Sequence, residues 1–182
     1  MNVEHSRLAG VRIIEPAVHG DDRGFFMESW NARSYREAGI DCEFVQDNIS
    51  RSRRGVLRGL HYQIASVQAK LVWVHAGEVY DVIVDLRRSS PTFGQWEGNY
   101  LGGGDKRRLL VPRGCAHGFL VVSESADFCY KCDNYYAPEH ERSLLWNDPA
   151  LAIEWPLAGI GEPAVSAKDA AAAGFGDCEK FD

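Results

Sequence analysis

Residues 70–87, KLVWVHAGEVYDVIVDLR, set two apolar runs on either side of a turn at HAGE, and the second run alternates. Tyr80, Val82, Val84 and Leu86 fall on one side, and Val79, Asp81, Ile83 and Asp85 on the other. A period of two belongs to a strand. The same texture recurs along the chain. VRIIEP opens it, FFMESWN follows a turn at HGDDRG, and RRSSPTFG breaks the chain before QWEGNYLG, RRLLVPRGCAHGFLVVSE and ADFCYKCDNYY. Glycine- and proline-containing corners at spacings of roughly eight to twelve residues separate these runs. ARSYREAG is the best short helix candidate, with Gly39 as its stop. Many short strands and little helix predict an all-β antiparallel sandwich or barrel, with a jelly roll preferred. A parallel sheet would need repeated helical crossovers that the sequence does not offer. From Asp148 onward the chain is rich in proline, glycine and alanine, which predicts an irregular C-terminal extension with one short helix. Trp155 and the polar pair Lys168 and Asp169 argue against that extension being dispensable.

A chain of 182 residues suits one domain, here expected over 1–182. Its net charge of −6 gives no global attraction to nucleic acid or an anionic membrane, so an anion must be met by a local cluster. Arg51, Arg53, Arg54 and Arg58 form one. Arg58 stands apart from a solvated basic loop because GVLRGLHYQ surrounds it with apolar and glycine positions. The N-terminus lacks an apolar run of signal-peptide length, and no apolar run is long enough to span a bilayer, so a cytoplasmic protein is expected. The five cysteines are scattered. Cys129 and Cys132 raise the question of a zinc or redox pair, but no second pair follows, and in a strand the two would point to opposite faces.

His61, in RGLHYQ, admits three readings: metal ligand, proton-transfer base, or packed histidine. For a metal, His61, His75 and His117 could converge, yet no His-x-His occurs and their spacing gives no support. The neighbourhood argues against simple packing. Glu28, Gln46, Asn48, Arg58, His61, Lys70, His117 and Tyr130 all sit in strand-like contexts, and so many polar groups point to a polar cavity.

The combination IIEPAVHGDDRGFFMESWN, FVQDNIS, GVLRGLHYQ, AKLVWVHAGEVYDVIVDLRRSSPTFGQW, VPRGCAHGF, CYKCDNYYAPEHERSLLWNDPALAIEWP and SAKDA resembles the dTDP-4-dehydrorhamnose 3,5-epimerase family over nearly the whole chain. The resemblance implies a cupin-like jelly-roll subunit whose segment from about 148 folds back over the barrel. It further implies a homodimer with exchanged N-terminal strands, and catalysis with no metal and no organic cofactor. The implied substrate is the nucleotide 4-keto sugar dTDP-4-dehydro-6-deoxy-D-glucose, with dTDP-4-dehydro-L-rhamnose as product. C3 and C5 both lie alpha to the C4 carbonyl, so inversion needs a base, an acid across a flat enolate, and a donor near the oxyanion. By resemblance His61 is the base, Asp169 its orienting carboxylate and Tyr130 the opposed acid. Lys70 meets either the C4 oxygen or a phosphate. Arg23 and Arg58 match nucleotide-sugar contacts, and Glu28, Gln46, Asn48, His117, Glu141 and Lys168 match further substrate-binding positions. The chain departs from the family pattern at Gly102–Gly104, where the glycine run would loosen a loop, and at Cys115, which replaces a usual aromatic beside His117. A single-position epimerase, a 3,4-ketoisomerase and a non-catalytic sugar-binding module are the competing readings.

Overall fold

The computed structural model describes residues 1–182. In chain order it contains β1 (Asn2–His5), β2 (Arg12–Glu15), β3 (Val18–Asp21), β4 (Gly24–Met27), α1 (Ala32–Glu37), β5 (Gln46–Arg53), β6 (Leu57–Gln63) and β7 (Lys70–Ala76). There follow β8 (Glu78–Asp85), β9 (Trp96–Gly102), β10 (Arg108–Val111), β11 (Cys115–Val121), β12 (Ser125–Cys132), β13 (Glu141–Ser143) and α2 (Ala167–Ala170). One sheet has the order β1-β2-β10-β7-β12-β5 and the other β13-β6-β11-β8-β9, while β3 and β4 form a separate hairpin. All the paired strands are antiparallel. This is the expected β-rich jelly-roll architecture, with two short α-helices at the periphery.

The alternation in β8 now has a physical meaning, because both of its faces are covered. Val79 and Ile83 join Val72, Leu109, Phe119 and Phe128 in the core between the sheets. Val82, Val84 and Leu86 point the other way, into a layer closed by Leu151, Trp155 and Cys178 of the C-terminal tail. The tail is therefore irregular in backbone but fixed in packing; the Trp155 indole also donates to the Trp146 carbonyl at 2.8 Å. A third, smaller cluster puts α1 residue Tyr35 and Ile40 against Leu71 and Leu110 on the outer face of the six-stranded sheet. Asn31 caps α1 by accepting from the backbone N–H groups of Arg33 and Ser34, and Gly39, at φ +81°, follows its end.

The hairpin β3–β4 is the contrasting appendage. Its four-residue strands are almost wholly exposed, and Phe25 and Phe26 are 56% and 72% exposed. The glycine run after β9 is not loose as its composition suggests. Gly103 donates to the Gly77 carbonyl at 3.0 Å, and a Cβ there would lie 2.5 Å from the His75 carbonyl oxygen. That contact leaves no room for a side chain. Cys115 lies in the core between the sheets, where burial pushes its thiol up to about 12.

Candidate active site

The space between the sheets is filled by apolar side chains over part of its extent and opens elsewhere into a cavity of about 600 Å³. Strand register explains its lining. On the six-stranded sheet, Cys132 pairs with Gln46 and Lys70, Tyr130 with Asn48 and Val72, and Phe128 with Ser50 and Val74. Partners in register share a face, so β5, β7 and β12 present one continuous wall. On the opposite sheet, His61 pairs with His117 and Ser143, and Glu141 pairs with Gln63. The β6 and β11 backbones almost touch: a Cβ on Gly59 would lie 2.6 Å from the Gly118 Cα. Two glycines thus allow the two histidine strands to approach.

His61 and Asp169 meet across the tail. Nε2 of the ring donates to Asp169 Oδ1 at 2.6 Å, which leaves Nδ1 without a partner in the chain. Asp169 is 3% exposed, and its Oδ2 accepts the Gly59 N–H at 3.4 Å. Ser166 caps α2 by accepting from the Asp169 N–H at 3.1 Å, so this one-turn helix aims the carboxylate. Burial pushes the Asp169 carboxyl up, but the His61 ring, the Gly59 N–H and Ser166 outweigh it and hold the carboxyl below its ordinary range.

Tyr130 lines the facing wall. Burial first, then the fields of Cys132 and Glu141, push its phenol up, against an opposing effect of Arg58, so it stays a proton donor. Lys70 has its Nζ 5.9 Å from the centre of the Tyr130 ring. Burial draws the ammonium down, while Cys132, Glu141 and Asp81 hold it up. Lys131 and Lys168 are ion-paired, whereas Lys70 is left for an incoming group.

Gln46, Asn48, Arg58, His117 and Glu141 also line the cavity. Arg58 is exposed at its edge, with Nε donating to the Ser52 hydroxyl at 2.9 Å. Lys168 bridges to Glu141 at 2.5 Å. Burial raises the Glu141 carboxyl, but Lys168 and the Tyr136 hydroxyl, which donates at 2.9 Å, hold it below the ordinary range. Arg23 and Glu28 are the exceptions among the expected residues. Arg23 is ion-paired with Asp21 at 2.5 Å on the exposed hairpin, and Glu28 accepts from Asn31 at 2.9 Å beside α1. Neither reaches the cavity of its own chain.

The three histidines do not converge. His61 and His117 face the cavity, whereas His75 faces a separate groove with Phe25 and Lys106. No group of three or more His, Cys, Asp or Glu side chains is placed to hold a metal ion. Cys132 lines the cavity and Cys129 does not, as expected for their spacing in a strand. The arginine cluster is divided as well: Arg51 makes a two-pronged contact to Asp127, at 2.6 and 2.7 Å, while Arg58 turns to the cavity.

Sequence reading missed Tyr136 and Asp81. Tyr136 stands on a loop tied down by Gln63, which donates to the Ser66 and Tyr135 carbonyls and accepts from the Ala137 N–H at 2.9 Å. The signal for Asp81 was available: it shares a strand face with Val79 and Ile83, and unlike Asp85 on that face it has no arginine two residues on to pair with.

An imidazole–carboxylate pair and a phenol on opposite walls of a polar cavity between two jelly-roll sheets are the groups of a cupin-like site suited to proton transfer. Comparison with known proteins makes the assignment specific. The family model described as dTDP-4-dehydrorhamnose 3,5-epimerase matches residues 5–177, and the chain belongs to that family. It is 54% identical to the dTDP-4-dehydrorhamnose 3,5-epimerase of Pseudomonas aeruginosa over 182 residues, covering 100% of this chain and 99% of the relative. The structure is similar to that of a dTDP-6-deoxy-D-glucose-3,5-epimerase from Legionella pneumophila in complex with dTDP-4-keto-L-rhamnose. The TM-score is 0.93 at 53% identity, with 98% of this chain and 94% of the other covered. A 3'-monoepimerase from Streptomyces bikiniensis, in complex with dTDP-quinovose, gives a TM-score of 0.87 at 36% identity, covering 94% and 86%.

Proposed function

We propose that residues 1–182 form one epimerase domain that converts dTDP-4-dehydro-6-deoxy-D-glucose to dTDP-4-dehydro-L-rhamnose without metal or organic cofactor. The carrying observation is the opposition of the His61–Asp169 pair on one wall to the proton-retaining Tyr130 on the other. The unpartnered Nδ1 of His61 removes a proton alpha to the C4 ketone, and Asp169 stabilises the imidazolium that forms. Lys70 balances charge growing on the C4 oxygen. Tyr130 returns a proton to the opposite face of the flat enolate, and the carbon is inverted. Arg58 at the cavity edge suits a diphosphate oxygen pair.

The working unit in this reading is a cytoplasmic homodimer that exchanges its N-terminal strands. The bare Phe25 and Phe26 and the distant Arg23 and Glu28 support it, since a hairpin lent to a partner would bring these groups to the partner's cavity. No helix is long and apolar enough to cross a membrane.

The likeness to a monoepimerase favours one second reading, inversion at a single carbon. Incubation with the 4-keto substrate in deuterated water separates the two. Label at both C3 and C5, with the L-rhamno product, is expected; label at one carbon selects the second reading, and a transposed ketone excludes both. Activity is expected to survive chelation and desalting, and loss restored by one divalent metal would overturn the cofactor-free assignment.

A further inference from the structure

Two histidines that line the cavity are each backed by a buried carboxylate. His117 on β11 is the register partner of His61 on β6, and its Nε2 donates to Asp81 Oδ2 at 2.7 Å. The same ring nitrogen is tied in both pairs. Their surroundings differ: the His61 side chain is 28% exposed, whereas that of His117 is 7% and that of Asp81 is 0%. Asp169 uses both carboxylate oxygens within the chain, but Asp81 Oδ1 is buried with no partner at all.

A sealed carboxylate oxygen without a donor is unfavourable for the fold. Asp81 stands between Val79 and Ile83 on the inner face of β8, where its neighbours are core residues. Packing alone gives no reason for an acid there; the imidazole does. Resting on the epimerase reading above, we propose that Asp81 is a positioning residue that fixes His117 through Nε2, so that Nδ1 is offered to a ring hydroxyl of the sugar. A neutral imidazole with its proton on Nε2 can only accept at Nδ1. A hydroxyl held there anchors the sugar to the same wall as His61, which keeps the carbons alpha to the ketone in line with the base while Tyr130 approaches from the other side. The carboxylate therefore works through His117 and touches no substrate atom.

Asp81→Asn tests this, because the near-isosteric amide can donate to Nε2 and so reverse the tautomer of the ring. The expected result is an unchanged or raised melting temperature, kcat/KM lower by about a hundredfold as for a misplaced reacting group, and nitrogen NMR shifts showing the His117 proton moved from Nε2 to Nδ1. Adding Asp81→Asn to His117→Asn should then cost little more than His117→Asn alone. A lower melting temperature would assign Asp81 to the fold and overturn the proposal, as would near-normal turnover or fully additive losses. His61→Asn measured alongside keeps the two questions apart. An active His61→Asn sinks the epimerase reading itself, whereas an inactive one beside a fully active Asp81→Asn sinks only the role given to Asp81.

Discussion

The C-terminal tail and the β3–β4 hairpin both leave the sandwich, and both carry residues expected in the site, yet only one of them is finished within the chain. The tail buries Leu151, Trp155 and Cys178 against the five-stranded sheet and brings Asp169 to within 2.6 Å of His61. The hairpin leaves Phe26 72% exposed and keeps Arg23 on its neighbour Asp21. Apolar cover decides whether an appendage is a working part of its own subunit. A segment that has paid its burial within the chain acts in cis; one that still exposes two phenylalanines is suited to act on another copy.

The largest effect that would break this comparison is on the tail. Asp169→Asn should lower kcat by about three to four orders of magnitude, as loss of an orienting carboxylate does in a histidine-based site, with near-native circular dichroism. A loss of less than tenfold would remove Asp169 from the machinery. The division between cis and trans is sharpened next by mixing. Arg23→Ala and Asp169→Asn are each expected to be impaired, and unfolding and refolding them together should restore about a quarter of the wild-type sites if two-fold dimers pair at random. No recovery would mean that Arg23 serves its own chain or none.

Stability gives a smaller contrast. Trp155→Ala should cost about 3–5 kcal/mol in urea unfolding, because a large buried ring is lost. Phe26→Ser should act only through self-association, so its destabilisation should grow or fade with protein concentration. A concentration-independent loss would place Phe26 in the core of its own subunit. The smallest effect concerns acid. Asp169 and Glu141 both have lowered folded-state values, so they contribute stability above the unfolded carboxylate range that is lost as pH falls through those lowered values. Tail docking should therefore weaken below about pH 4, with a tryptophan emission change that is reduced in Asp169→Asn. An identical acid transition in that variant would detach the effect from Asp169.

The strands were legible because burial leaves a period of two that β8 displays on both faces, and α1 was legible from its glycine stop. In the site, Tyr130, Phe128 and Cys132 share a parity that the sequence shows directly. Other members depend on long-range register. His117 and Asp81 are separated by 36 residues, and only the pairing of β11 with β8 brings them together. Asp169 is further from His61, on a tail whose composition says nothing of where it docks, and resemblance to a family carried that assignment. Arg23 and Glu28 lie away from the main cavity of the single chain, so its own contacts do not point to them.

The docking of the tail also sets a timetable. Every strand of both sheets is synthesised before Asp169, since β13 ends at Ser143. Leu151, Trp155 and Cys178, which cover the outer face of the five-stranded sheet, are synthesised after the strands as well. The apolar cover and the carboxylate that meets His61 thus reach the sheet in one segment, and a chain clipped ahead of it would lose both together.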